Sequence, residues 1–348
     1  MSSPRVVIGA GGTAGHVVPA LAVADALQAD GAEVIFIGGD RAEAELVPAA
    51  GYEFHGLRVV SLPRRAPARA ARAVAIDAAA VRAAVRLVAR LKPDAVFGGG
   101  GYVAGPVGLA AAVRRVPLVL GEIDSHIGLT NRLLTPAARR VCLAVPLDGR
   151  DGPRFVVTGR PVPPVSDRAA ARSRFAIDPA ATCVLVTGGS QGARSINQAA
   201  IEAFAGAGFH VLHAAGERDL PDLRSPGDDY DLRGYISGFM DALAACDLVV
   251  SRSGGSVFEI AAAGKPAVLI PYPHATADHQ TANARYLERA GAAIVIPDAE
   301  LTAARLAGEV GGLLSDPGRL AAMARASAEL ARPDAARDIA AEVLAAAH

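Results

Sequence analysis

Short apolar runs alternate with glycine-rich breaks along this chain. Arg5–Ile8 (RVVI) reads as a buried strand, Gly9–His16 (GAGGTAGH) as a loop, and Val17–Ala29 as a helix by its apolar spacing. Glu33–Ile37 (EVIFI) is a second strand, so the segment has the grammar of a βαβ unit in a parallel sheet. The grammar returns about 178 residues later. There Cys183–Thr187 is a strand, Gly188–Ala193 (GGSQGA) a loop, Ser195–Ala205 a helix and His210–Ala214 a strand. Further strands are predicted at Ala95–Phe97 and Leu118–Leu120, and at Leu248–Val250 and Ala267–Ile270. Asp148–Asp167 is rich in Gly and Pro, which places a domain boundary near Pro161–Pro164. Leu301–Ala347 reads as Ala-rich helices broken at Pro317–Gly318 and Pro333. The pattern predicts two doubly wound α/β domains in tandem, 1–160 and 161–330, followed by a last helical segment, 331–348.

Composition narrows the function classes. Among 348 residues, 35 Lys+Arg balance 35 Asp+Glu, which argues against a general nucleic-acid binder. The apolar fraction of 51% supplies two cores, yet no run reaches the roughly 20 residues of a membrane span, and no signal-peptide pattern is visible. Cys142, Cys183 and Cys246 lack metal-ligand spacing and are expected to be reduced core thiols of a cytoplasmic protein. The zero net charge hides an asymmetry, because residues 1–150 carry a net of +5 and the remainder −5. The excess concentrates in Arg58–Lys92, where Arg69, Arg72, Arg82, Arg86 and Arg90 alternate with apolar positions. That segment is either an arginine-rich surface helix or a face that rests on anionic lipid.

A glycine loop between a parallel strand and a helix gathers unpaired backbone N–H groups at the positive end of the helix dipole, which makes an anion site. Gly9, Gly11 and Ala14 also fit the dinucleotide fingerprint, with Asp40 ending the next strand as a ribose-binding acid would. His16 and Pro19 in the first helical turn, and a second glycine loop, count against an NAD site. Gly188–Arg194 (GGSQGAR) lacks the Lys of a triphosphate cradle, although Ser190 offers a hydroxyl beside the loop amides. Either loop alone is equally read as a tight turn needed only for packing. Asp247–Ile260 adds a strand, the loop SRSGG and a helix carrying Glu259 among apolar neighbours, a place for a ribose-binding carboxylate. Pro271–Ala284 then gathers His274, Asp278, His279, Gln280 and Asn283 after a buried strand, at the sheet edge where open α/β folds bind ligands. His274, Asp278 and His279 form no complete metal set, and Asp229-Tyr230-Asp231 reads as a solvated acidic turn rather than a metal–diphosphate motif.

These loops, in this order, resemble the MurG family of UDP-N-acetylglucosamine transferases. The matching stretches are GGTAGHVVPALAVADAL (Gly11–Leu27), GGYVAGP (Gly100–Pro106), GLTNRLL (Gly128–Leu134), GGSQGARSIN (Gly188–Asn197), SRSGGSVFEIAAAGKPAVLIPYP (Ser251–Pro273) and DHQTANARYL (Asp278–Leu287). The resemblance implies a GT-B fold, with an acceptor-binding N-domain and a UDP-sugar-binding C-domain facing a central cleft. It implies inverting transfer of GlcNAc from UDP-GlcNAc to a lipid-linked muramoyl-peptide, without metal or cofactor, at the cytoplasmic face of the membrane. Carried over by position, His16 becomes the general base, and Thr13, Ala14, Gly15 and Ser190 hold phosphates. Glu259 takes the ribose, Arg252 and the Phe239–Met240 backbone flank the uracil, His279 and Gln280 bond the sugar hydroxyls, and Tyr102 lies on the acceptor side. The last helix is expected to cross back to the N-domain within Leu320–Ala347. Three departures stand out: GGTAGH carries Ala14 for a glycine, GEID (Gly121–Asp124) replaces HEQN and puts Asp124 where the family has a cleft Asn, and GRPVP (Gly159–Pro163) moves an arginine to Arg160; Asp124 and Arg160 are carried over as substrate-binding residues. They leave room for a related transferase with another donor or acceptor, or for a catalytically silent UDP-sugar-binding subunit.

Overall fold

A computed structural model gives the architecture; it describes residues 3–59, 67–189, 191–275 and 278–348 and, of residues 67–77, the backbone alone. The chain divides into two compact units, Met1–Val162 with Arg332–His348, and Pro163–Ala331.

The first unit runs β1 (Arg5–Ala10), α1 (Ala14–Ala29), β2 (Glu33–Gly38), α2 (Ala42–Ala49), β3 (Glu53–Gly56), α3 (Pro67–Leu91), β4 (Ala95–Gly100), α4 (Ala104–Arg114), β5 (Leu118–Glu122), α5 (Leu129–Leu134), β6 (Arg140–Leu143) and β7 (Phe155–Val157). Its seven strands are parallel in the order β3-β2-β1-β4-β5-β6-β7. The Val- and Ile-rich runs of β1 and β2 are buried almost throughout, as strands covered on both faces must be. In the second unit come α6 (Arg168–Arg174), β8 (Cys183–Thr187), α7 (Arg194–Ala203), β9 (His210–Ala214), β10 (Tyr230–Arg233), α8 (Phe239–Ala245), β11 (Leu248–Ser251), α9 (Ser256–Ala262), β12 (Ala267–Leu269), α10 (His279–Arg289), β13 (Ala293–Val295), α11 (Ala303–Leu314) and α12 (Pro317–Glu329). The six strands are parallel in the order β10-β9-β8-β11-β12-β13.

The final helix, α13 (Ala335–Ala347), returns to the first unit, where Ile339, Ala340 and Val343 share a core with Val17, Val23 and Leu27 of α1. Arg139 Nη1 donates to Ala346 O at 2.7 Å, and Arg140 pairs with Glu342 at 3.1 Å. Only this stretch of the expected Leu320–Ala347 segment does so, because α12 belongs wholly to the second unit. All three cysteines are buried and free.

Several expectations need correction. Helix α1 begins at Ala14 rather than Val17, so His16 stays in its first turn but Pro19 falls in the second. The sequence pattern missed β3, β7, β10 and β13, the strands at the four sheet edges, and the inner strand β6. Edge strands are short and carry polar residues, so their alternation is weak. Tyr230 and Asp231 are one such case: they lie in β10, not in an acidic turn. Tyr230 is buried with its hydroxyl 2.7 Å from His213 Nδ1, and both carboxylate oxygens of Asp231 accept from Arg233.

Candidate functional site

In each sheet the strand order reverses at one place, between β1 and β4 and between β8 and β11. Crevices at the carboxyl ends of such strands are the ligand sites of open α/β sheets. Gly9–His16, GGYVAGP, Gly188–Arg194 and SRSGG leave these four strands, while Pro271–Ala284 follows β12.

In the first unit the loops after β1 and β4 cross in contact. Gly101 has φ +77°, and a Cβ there would fall 1.9 Å from the carbonyl oxygen of Gly11. Thr13 is the N-cap of α1, yet its hydroxyl caps no backbone amide; it meets His16 Nδ1 at 3.1 Å. The imidazole edge packs on Gly100, where a Cβ would stand 2.8 Å from His16 Cδ2. Burial lowers the His16 pKa below the usual histidine value, opposed by Asp124 and Glu43 and reinforced by Arg160. Ala14 and Gly15 are exposed beside it. The ring of Tyr102 lies under Gly12 and is covered by the Arg41 guanidinium at 5.2 Å. Its hydroxyl is buried without a hydrogen-bond partner among the described residues.

Glu43 and Arg160 hold this loop and Glu122 holds the neighbouring one after β5; Glu43 and Glu122 escaped the sequence reading. Glu43, in the first turn of α2, is fully buried and accepts from Gly12 N at 2.8 Å and Gly39 N at 2.9 Å. Glu122 of β5 accepts from Gly128 N at 2.8 Å and Asn131 Nδ2 at 3.0 Å, tying down the start of α5. Burial pushes its carboxyl up to about 7 against those bonds. Arg160 donates to Gly15 O at 2.9 Å and Ile123 O at 3.1 Å, with Asp124 at 3.9 Å. An acidic residue in a first helical turn is common for dipole reasons alone, so Glu43 gave no distinctive signal. Glu122 had a usable one, its place beside Asp124 in GEID.

In the second unit the loop after β8 closes on the end of β9. Gly192 has φ +72°, and a Cβ there would lie 2.1 Å from Ala215 O. Ser190 of this loop lies outside the described residues. The loop after β11 is fastened to α10, since Ser253 Oγ donates to Gln280 O at 2.8 Å and Asn283 Nδ2 to Ser253 O at 3.0 Å. Gln280 Oε1 accepts from Tyr272 N at 2.9 Å, while its Nε2 stands 3.8 Å from where a Gly254 Cβ would be. His279 opens α10, and Glu259 is half-buried in the first turn of α9. Phe239 and Met240 open α8 after Gly238 in the left-handed region; Met240 is itself in the core, which leaves its backbone for any ligand.

Arg252 departs from its expected place beside a ligand base. Its guanidinium is a buried strut, donating to Ile270 O, Pro271 O, Asp298 Oδ1 at 2.6 Å and Ser195 Oγ at 2.9 Å, under the ring of Tyr272. Asp298 and Ser195, joined at 2.8 Å, are the partners that the sequence reading missed. Among the described residues no group of three or more His, Cys, Asp or Glu is arranged to hold a metal ion. Of the residues weighed for one, His274 stacks edge-on against Tyr272 and Asp278 accepts from the Thr281 hydroxyl at 2.7 Å.

Two doubly wound sheets in tandem, each with a glycine loop at its switch point, are the architecture of the GT-B fold, and the matching family models place the chain among the GT-B glycosyltransferases. Residues 6–143 match the glycosyltransferase family 28 N-terminal domain, and residues 183–339 its C-terminal domain. A protein of Moorella thermoacetica is 42% identical over 95% of this chain and 96% of its own length. One of Halorhodospira halophila is 43% identical over 96% of both. Both are named UDP-N-acetylglucosamine–N-acetylmuramyl-(pentapeptide) pyrophosphoryl-undecaprenol N-acetylglucosamine transferase. The crystal structure of Acinetobacter baumannii MurG superposes with a TM-score of 0.81 at 29% identity, covering 98% of this chain and 99% of that one. The chain belongs to the MurG family of glycosyltransferases.

Proposed function

We propose that the protein transfers GlcNAc from UDP-GlcNAc to the C4 hydroxyl of a lipid-linked MurNAc-peptide, with inversion at the anomeric carbon. The observation that carries this reading is identity above 40%, over nearly the full length, to transferases named for that donor and acceptor. The first unit, with its final helix, takes the acceptor, and the second takes the donor.

With Nδ1–H donated to the Thr13 hydroxyl, His16 Nε2 keeps its lone pair and removes the acceptor proton as the oxygen attacks the anomeric carbon. A depressed pKa keeps the imidazole neutral near pH 7, as that task needs. Backbone N–H groups of the first-unit loop, between Thr13 and Gly15, meet acceptor phosphate. Those of the second-unit loop after β8, with the α7 dipole, meet the charge that builds on the departing diphosphate. Glu259 accepts from the ribose hydroxyls, the Phe239–Met240 backbone meets the uracil, and His279 and Gln280 bond the sugar. Arg252 acts indirectly, holding the loops after β8 and β11 in register through Ser195 and Asp298. Incubation with UDP-GlcNAc and lipid I is expected to release UDP; release with a different acceptor but none with lipid I would overturn the assignment.

The same reading makes the protein peripheral to the cytoplasmic face of the membrane. No helix among the described residues is long and apolar enough to cross one. Helices α4 and α5 pack together and expose two apolar pairs at i,i+4 spacing, Leu109 with Val113 (59% exposed) and Leu129 with Leu133 (71%). Exposed Arg114, Arg115 and Arg132 lie among them, and a basic residue near an anionic surface contributes about 1 kcal/mol. The protein is expected to pellet with anionic vesicles and less with zwitterionic ones, and V113S/L133S to weaken both while UDP binding persists. Indifference to lipid charge would sink the electrostatic part.

A further inference from the structure

Pro19 leaves a vacancy in α1 that another part of the chain fills. Lacking an N–H, it cannot make the i→i−4 bond to Gly15 O, the carbonyl immediately before His16. Arg160, 145 residues on, supplies the missing donor through Nη2 at 2.9 Å. Its Nη1 donates at 3.1 Å to Ile123 O, so one planar group straps the first turn of α1 to the segment leaving β5. The side chain is 10% exposed, and the Asp124 carboxylate stands 3.9 Å from Nη1, near enough to neutralise it but too far for a hydrogen bond.

We propose that Arg160 is a positioning residue for His16, and that Asp124 and Arg160 act on its imidazole as an opposed charge pair. Three charged groups bear on that ring: Asp124 beyond β5, Arg160 beyond β7 and Glu43 from α2; Thr13 is its neutral partner. Asp124 favours the imidazolium and Arg160 disfavours it, on top of the burial that depresses His16 most. Losing either member unmasks the other. Asp124 and Arg160 thus act through His16 rather than on the substrate.

The activity arm of the test rests on His16 as the base; the titration arm does not. In the full chain, the His16 imidazole is titrated by NMR, its signal identified by its absence in H16Q. D124N is expected to lower the midpoint and R160Q to raise it, with D124N/R160Q returning near the parent. R160K keeps the charge but cannot bridge two carbonyls. Its midpoint is expected to stay while kcat falls about tenfold or more from misplacement and KM for UDP-GlcNAc holds. Midpoints that stay put, or move together, would overturn the charge pair, and parental kcat in R160K would overturn the strap. Opposed midpoints with no matching movement in the acid limb of kcat/KM would leave the pair standing and remove His16 as the base.

Discussion

Replacing His16 with alanine is expected to lower kcat/KM for the acceptor by about 10²- to 10⁴-fold, the usual worth of a positioned base, with little change in UDP-GlcNAc affinity. The imidazole is held on three sides, by the Thr13 hydroxyl, the close approach of Gly100, and the loop strapped through Gly15. A side chain so constrained has given up rotamer freedom before substrate arrives, which is the condition for efficient proton transfer. On the proposed reading the truncation removes the base and leaves the residues assigned to the donor untouched, so the loss should fall on kcat and on acceptor kinetics.

The pH profile gives the same test a second reading. Burial holds His16 below the ordinary histidine pKa, so the neutral, competent form persists to lower pH than a free imidazole would allow. Activity should fall on acidification only below the usual histidine range. That limb should be absent from the residual activity of H16A. Full activity in H16A, or an unchanged acid limb, would take His16 out of the mechanism.

The sequence carried the parts of the site that are contiguous in it. A strand, a glycine loop and a helix start lie within a dozen residues, so Gly9–His16 and Gly188–Arg194 could be read directly, and topology then placed them at the two switch points. What it did not carry are side chains that act across long separations. Glu43 reaches Gly12 over 31 residues, Arg252 reaches Asp298 over 46, and Arg160 reaches Gly15 over 145. None of these contacts has a local pattern to mark it, even where the residue itself was named, because the partner is a backbone atom or a residue that only the fold brings near. Arg252 shows the converse hazard. A charged residue in a ligand loop reads as a ligand contact, yet here Nη1 and Nη2 are bonded to four acceptors from three other segments.

At Glu43 a single substitution should cost the first unit heavily. Its two oxygens accept from Gly12 and Gly39, the amides of two different βα loops; the carboxylate and Gly39 are buried, while Gly12 is half-buried. The fit is close, since a Cβ on Gly11 would stand 2.5 Å from Glu43 Oε1. E43A strands both amides, and an unsatisfied buried donor costs about 1–3 kcal/mol. The sum, about 2–6 kcal/mol, is a large share of a stability of about 5–15 kcal/mol, and should lower the unfolding midpoint by roughly 5 °C or more. E43Q separates the two functions of the carboxylate. It retains one acceptor but turns an NH₂ toward the other amide, so it should lie between parent and E43A in melting temperature. Its activity should nevertheless fall with E43A, because the loop from Gly11 to His16 is then held at one end only. E45Q, two residues along the same helix and exposed, is the control and should match the parent in both measurements. An E43Q protein with parental melting temperature and parental kcat would show that the clamp does not set the loop.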